Sequence, residues 1–392
     1  MSDFSNLTNC DESIKAYKMR IAIHGRYRSS SSNGVDRTIA GLAEAFSQDN
    51  HQVTIISAER PDRQNLEAIK SLGIRLVYCG SSLKDLVKNP VQWDAFDLVI
   101  FNSVFAWQAI YLSKQCVSPY LCIPNGGYFE GSIKNRSRFK KKIFAFLFER
   151  PYLERSAAVQ ALSEAESVAI NAIAPRAAII KAPNGAFPIS FKSSYNPGRG
   201  SPRWITFVGR ISVRHKGLDL LLPGLQMARN MGCDLKLNLV GPFERKQRRL
   251  LEGLIDKLGL VNHVRFHGTL YGEKKFQILK ESHFFVHTSR WEGMPFAVIE
   301  AMQLGIPVVI SKETNLSEFV AADDCGWVIR ENSPEYIAAS LADAYRTSVE
   351  ELSEKGKRAS EVVAQHLNWP RISRSILCQV NEVLCRNEKT KK

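Results

Sequence analysis

Thirteen strand-length apolar runs alternate with helix-length amphipathic segments from Met19 almost to the end of this 392-residue chain. In the first half the runs are RIAI (20–23), QVTIIS (52–57), IRLVYC (74–79), DLVIFN (97–102), PYLCIP (119–124), AVQAL (158–162) and AAIIKAP (177–183). Stretches such as VDRTIAGLAEAF and LEAIKSL fall between them. A run of Val, Ile and Leu without polar alternation needs cover on both faces, and helices between such runs supply it. The pattern therefore predicts parallel sheets in a doubly wound α/β layout.

Residues 187–203, FPISFKSSYNPGRGSPR, are rich in Ser, Pro and Gly and read as a linker. The alternation then restarts with WITFVG (204–209), LKLNLVG (235–241), VRFHG (264–268), HFFVHTS (283–289), PVVIS (307–311) and GWVI (326–329). A chain this long exceeds one ordinary core. The expected plan is a polar leader (1–18), an N-terminal Rossmann-like domain (19–186), the linker, a C-terminal Rossmann-like domain (204–368), and a terminal helix and tail (369–392). The two domains are expected to face each other across a cleft, with the last helix crossing back to the first domain. Ligands of open parallel sheets bind beyond the carboxyl ends of the strands, so those loops are where chemistry is sought.

Composition narrows the classes. With 44% hydrophobic and 23% charged residues the chain is neither fibrous nor disordered. Its apolar runs are short (IFAFLF at 143–148), whereas a bilayer-spanning helix needs roughly 20 apolar residues. The N-terminus lacks the apolar stretch of a secretory signal. Eight scattered cysteines without a C-x-x-C pair suit free thiols in a reducing compartment, so a cytoplasmic location is expected. The net charge of +14 favours anionic partners. It is densest near SRFKKKIFAFLFER, where Lys140, Lys141 and Lys142 precede Phe144, Phe146 and Leu147. Residues 138–150 thus read either as a membrane-surface element on the inner face of an anionic membrane or as a core-facing helix. Nucleic acid is not expected, because no recognition motif accompanies the charge.

Three loops carry candidate chemistry. After the first strand, GRYRSSSSNGVDR leads into a helix starting near Gly34. A small-residue loop feeding a helix N-terminus offers backbone N–H groups to an anion, although G-x-G-x-x-G is absent. In FVGRISVRHKG a strand ends at Gly209, and Arg210 and Lys216 flank a short connection to a helix beginning near Gly217. Two cations there suit a diphosphate, Arg as a bidentate donor and Lys as a point charge, with Arg214 and His215 nearby. Solvated loop cations are the plain alternative. In the third loop, RWEGM, Pro295 stands as the first helical residue, and Phe296, Glu300 and Leu304 fall four apart on one helical row. A carboxylate between apolar neighbours is costly unless something polar meets it, and a ribose offers two adjacent hydroxyls. Glu292, separated from Glu300 by the seven residues GMPFAVI, can reach the sugar end of the same ligand. Otherwise Glu300 edges into solvent.

The pairs His263/His267 and His283/His287 have metal-like spacing but lie on strand patterns without a third ligand, so neither a metal nor another cofactor is expected. D-x-D, G-x-S-x-G and P-loop motifs are all absent.

FVGRISVRHKG followed by SRWEGMPFAVIEAMQLGIPVV closely resembles family 4 of the retaining glycosyltransferases, whose signature is the E-x7-E element, here Glu292 to Glu300. The likeness extends through PYLCIPNGGYF, ERPYLERSAAVQALSEAE, KAPNG and the Trp369-led helix. It implies a GT-B fold and a metal-independent hexosyltransferase using a UDP- or GDP-sugar and a saccharide or lipid-linked acceptor in surface polysaccharide or glycolipid synthesis. By motif, Arg210 and Lys216 would neutralise the leaving diphosphate beside Gly209, and Glu300 would hold the ribose. Glu292, with the backbone of Gly293, Met294 and Pro295, would meet the sugar and pyrophosphate, while the loop at Gly34 would cover the diphosphate. Many relatives carry a histidine where this chain has Asn125, which hydrogen-bonds a sugar hydroxyl but takes no proton near neutral pH. A nucleotide-sugar-binding protein without transfer activity is the alternative that this substitution raises.

Overall fold

The computed structural model describes residues 18–28, 33–129, 131, 142–189, 195, 197–198 and 200–389. Strands β1 (Arg20–His24), β2 (Gln52–Ser57), β3 (Arg75–Tyr78), β4 (Leu98–Phe101), β5 (Tyr120–Cys122), β6 (Ala158–Ala161) and β7 (Ile179–Lys181) form one sheet, in the order β3-β2-β1-β4-β5-β6-β7. Strands β8 (Arg203–Val208), β9 (Leu235–Val240), β10 (Val264–Gly268), β11 (Phe284–His287), β12 (Val308–Ser311) and β13 (Gly326–Ile329) form the second, in the order β10-β9-β8-β11-β12-β13. Every pairing is parallel. Each of the thirteen strands lies on one of the apolar runs read from the sequence. The central runs are buried on both faces, as LVIF in β4 and VVIS in β12 show by having no exposed residue.

Contacts divide the chain into two compact units. Described residues up to Phe187 and from Asn368 onward form one, and Pro188–Leu367 form the other. The terminal helix Trp369–Lys389 therefore returns to the first unit, as expected, and three kinds of contact hold it there. Trp369 lies so close to Gly41 and Gly185 that a Cβ at either would come within 2.1 and 2.6 Å of the indole. Arg374 binds Asp49 in bidentate fashion at 2.9 Å, and Gln379 exchanges hydrogen bonds with the backbone of Lys181. Ala186 pairs with Asn368 across the point where the chain returns.

Cys79, Cys116, Cys122, Cys233, Cys325 and Cys385 are free thiols. Cys378 is disulfide-bonded, which corrects the expectation of a free thiol at that position.

Each sheet reverses its winding once, between β1 and β4 in the first unit and between β8 and β11 in the second. Loops leaving the carboxyl ends of those strand pairs frame the crevice where a doubly wound sheet binds ligands.

Candidate functional site

In the second unit the loops after β8 and β11 are drawn together at that reversal. Gly217 caps the helix Leu218–Asn230 with φ +63°, and a Cβ there would lie 2.0 Å from the Thr288 carbonyl oxygen. Only glycine lets the two backbones approach so closely. Thr288 Oγ1 donates to the Lys216 carbonyl at 3.1 Å. Arg290 donates to the Arg214 carbonyl at 2.6 Å and grips Asp219 at 2.6 and 2.9 Å.

This register brings Lys216 and Glu292 together. The Lys216 ammonium hydrogen-bonds a Glu292 oxygen that also accepts from Ser289 Oγ at 2.7 Å and from His287 Nε2 at 3.3 Å. Both members of the ion pair are nearly buried, at 11% and 12% side-chain exposure. Burial alone would push the Glu292 pKa up; the Lys216 charge and the His287 bond outweigh it and hold the carboxyl well below its usual range. His215 stacks on Trp291 at 4.7 Å, and burial, partly offset by Glu292, lowers its pKa to about 4. Burial likewise lowers His287, stacked on Phe207 at 5.1 Å. Both imidazoles are therefore neutral near pH 7, and fixed positive charge in these loops comes from Lys216 and the arginines. Arg210 is exposed, one residue beyond Gly209.

The E-G-M-P backbone is held from outside. Asn315, at φ 59°, donates from Nδ2 to the carbonyls of Glu292 (2.8 Å) and Gly293 (2.7 Å). Asn332 Nδ2 does the same for Thr288 and Ser289, at 3.0 Å each. Met294 is buried. The helix runs Phe296–Gln303, and Pro295 is its cap with ψ 118° rather than its first helical residue; its carbonyl accepts the first intrahelical bond, from Val298. Phe296, Glu300 and Leu304 are all buried. Glu300 does not edge into solvent: Lys275, from the helix Gly272–Lys280 that follows β10, meets its carboxylate at 2.8 Å.

In the first unit Gly34 opens the helix Gly34–Gln48, and the Asn33 side chain accepts from Val35 N–H. Asn125, at φ 52°, follows β5 and donates from Nδ2 to Asn102 Oδ1 at 2.6 Å, while its Oδ1 accepts from Thr38. Two buried carboxylates fix this loop and its neighbour after β4. Glu166 accepts from the N–H of Gly126 (2.5 Å) and Leu162 (2.8 Å), and Glu149 accepts from Phe105 N–H (2.7 Å) and the Tyr128 hydroxyl. Of the basic segment, Lys140 and Lys141 lie outside the described residues. Lys142 is exposed, and the chain continues through a π-helical turn, Ala145–Glu149, that leaves Phe146 and Leu147 exposed at 64% and 54% while Ala145 and Glu149 are buried.

The histidine pairs serve other purposes. His267 bonds Asn238 at 2.8 Å and His283 bonds the Gly198 carbonyl at 2.9 Å. Among the described residues no cluster of three His, Cys, Asp or Glu is placed to hold a metal ion. Ser289, Lys275, Asn315 and Asn332 were not singled out from the sequence; only Ser289, in the same loop as Glu292, carried any local signal.

Comparison with known proteins places these features. The family described as glycosyl transferases group 1 matches residues 193–362. "Putative colanic acid biosynthesis glycosyltransferase WcaL" of Salmonella typhimurium strain LT2 is 29% identical over 185 residues, 45% of this chain and 44% of that protein. The chain thus spans less than half the length of that relative. Sucrose-phosphate synthase from Thermosynechococcus elongatus superposes with a TM-score of 0.71 at 16% identity, covering 94% of this chain and all of the other. Anabaena HepE in complex with UDP and glucose superposes equally well, at 18% identity over 93% of this chain and all of that one. Residues 193–362 match the glycosyl transferases group 1 family, and the two-unit α/β fold that carries them is GT-B.

Proposed function

We propose that this protein is a metal-independent, retaining glycosyltransferase of the hexosyl-transfer type. It moves a sugar from a UDP- or GDP-sugar to a saccharide or lipid-linked acceptor in surface polysaccharide or glycolipid synthesis. The observation that carries this reading is the Lys216–Glu292 pair at the β8/β11 reversal. Arg210 lies in the same loop as Lys216, and the helix bearing Glu300 starts where the Glu292 loop ends. Negative charge developing on a departing diphosphate is met there by fixed cations, and such preorganised charge is the largest single contribution to many enzymatic rates. Glu300 accepts from the ribose hydroxyls, and Glu292 with the backbone of Gly293, Met294 and Pro295 faces the sugar and pyrophosphate. The name of WcaL and the UDP and glucose in the HepE complex support the acceptor and donor classes. The test is release of nucleoside diphosphate from a panel of nucleotide-sugars together with the anomeric configuration of the product by NMR; an inverted product contradicts the retaining assignment.

Asn125 favours a second reading, binding of a nucleotide-sugar without transfer. Saturable donor binding with no release of nucleoside diphosphate, whatever acceptor is offered, would establish it.

The protein works in the cytoplasm, at the inner face of an anionic membrane, through residues 138–150. The exposed Lys142, Ile143, Phe146, Leu147 and Phe148 support this, since cations beside apolar groups suit a bilayer surface. No helix among the described residues is long and apolar enough to cross a membrane. Sedimentation with anionic vesicles, before and after replacing Lys140, Lys141 and Lys142 by Gln, tests it; unchanged binding contradicts it.

A further inference from the structure

We infer that Lys275 is a positioning residue of the donor site, which holds Glu300 for a ribose and so sets a preference for ribonucleotide over 2′-deoxyribonucleotide ligands. This rests on the ribose role proposed for Glu300. Lys275 and Glu300 come from different elements, the helices after β10 and β11, and meet at 2.8 Å with only 14% and 10% of their side chains exposed. On the buried row between Phe296 and Leu304 a carboxylate without a polar partner would turn toward water, away from the two hydroxyls it is to accept from. The Lys275 ammonium meets it and fixes the direction of one oxygen. Lys275 is itself constrained, its Nζ lying 4.9 Å from the centre of the Phe276 ring. A charged, oriented carboxylate discriminates between a vicinal diol and a single hydroxyl, because losing one hydrogen bond to a charged acceptor lowers affinity roughly tenfold or more.

The experiment is calorimetric titration of UDP, GDP and their 2′-deoxy counterparts into the wild type, Lys275→Met, Lys275→Arg, Glu300→Gln and the double variant Lys275→Met with Glu300→Gln. The wild type is expected to favour the ribonucleotide about tenfold. That ratio falls toward one in Lys275→Met and Glu300→Gln, falls no further in the double variant, and returns in Lys275→Arg. A merely structural role weakens both ligands equally and leaves the ratio intact, which overturns the inference. Where Lys275→Met does not fold, Lys275→Gln takes its place. If Lys275→Met keeps the wild-type ratio while Glu300→Gln loses it, the inference falls and the ribose role of Glu300 stands. If Glu300→Gln also keeps the ratio, the ribose role falls too. A wild type that binds neither nucleotide removes both.

Discussion

Lys216 and Glu292, 76 residues apart in sequence, form a nearly buried ion pair at the point where the second sheet reverses its winding. Neither residue belongs to a regular strand or helix; β8 and β11, adjacent in the sheet, deliver them to one place. The pair keeps the Glu292 carboxylate charged throughout the neutral range while both nearby histidines remain neutral.

Removing one partner strands the other. Lys216→Met is expected to cost roughly 3–5 kcal/mol of stability, because a buried carboxylate loses its counter-charge. Adding Glu292→Gln should recover part of that loss. Urea denaturation of the two single variants and the double variant measures the coupling, and strictly additive losses would show that the pair does not act as a unit.

Gly217→Ala should damage the same site through the backbone alone. Its φ of +63° and the 2.0 Å approach to the Thr288 carbonyl leave no room for a methyl group. A loss of about 2 kcal/mol or more is expected, with weaker UDP and GDP binding. Wild-type stability and affinity would contradict the close packing of the two loops.

In the first unit Glu166 should give a pH signature. Burial, opposed by bonds from Leu162 and Gly126, raises its pKa to about 7. A carboxyl raised in the folded state binds more protons there than in the unfolded chain, so its contribution is most favourable at low pH and declines as pH rises from about 4.5 to 7. Stability of the wild type relative to Glu166→Gln should therefore increase on acidification from pH 7.5 to 5, by up to roughly 3 kcal/mol. Taking the difference between the two proteins cancels His24, which burial moves the opposite way. A difference independent of pH would contradict the assignment.

Gly41→Ala opposes intrinsic helix preference to tertiary packing. Alanine is better than glycine in a helix by about 1 kcal/mol. Here its methyl group would fall 2.1 Å from the Trp369 indole, so a net loss of roughly 1–3 kcal/mol is expected from thermal or urea unfolding. A gain in stability would mean that the terminal helix is not docked as described.

The fold was legible because its signal is local. Each apolar run in RIAI, LVIF or PVVIS is long enough to be a strand and too uniformly apolar to be exposed on either face. The E-x7-E spacing and the cations of FVGRISVRHKG were legible for a similar reason, since each motif occupies one loop and the start of one helix. Lys275, Asn315 and Asn332 were not, because each acts on a carboxylate or carbonyl delivered by a different strand. Nothing in LYGEKKFQIL marks which of its lysines will face Glu300; the crossover from β10 to β11 decides that. Pro295 shows the limit at an element boundary, where sequence preference allows the residue on either side of a cap and backbone geometry selects one.

The most direct measurement is the release of UDP or GDP by the wild type and Arg210→Ala when each is given a panel of UDP- and GDP-sugars with extracted saccharide and lipid-linked acceptors. The donor site proposed here predicts that the wild type consumes at least one nucleotide-sugar and that Arg210→Ala does so at least tenfold more slowly. A wild type that consumes none, or an Arg210→Ala variant as fast as the wild type, would contradict it.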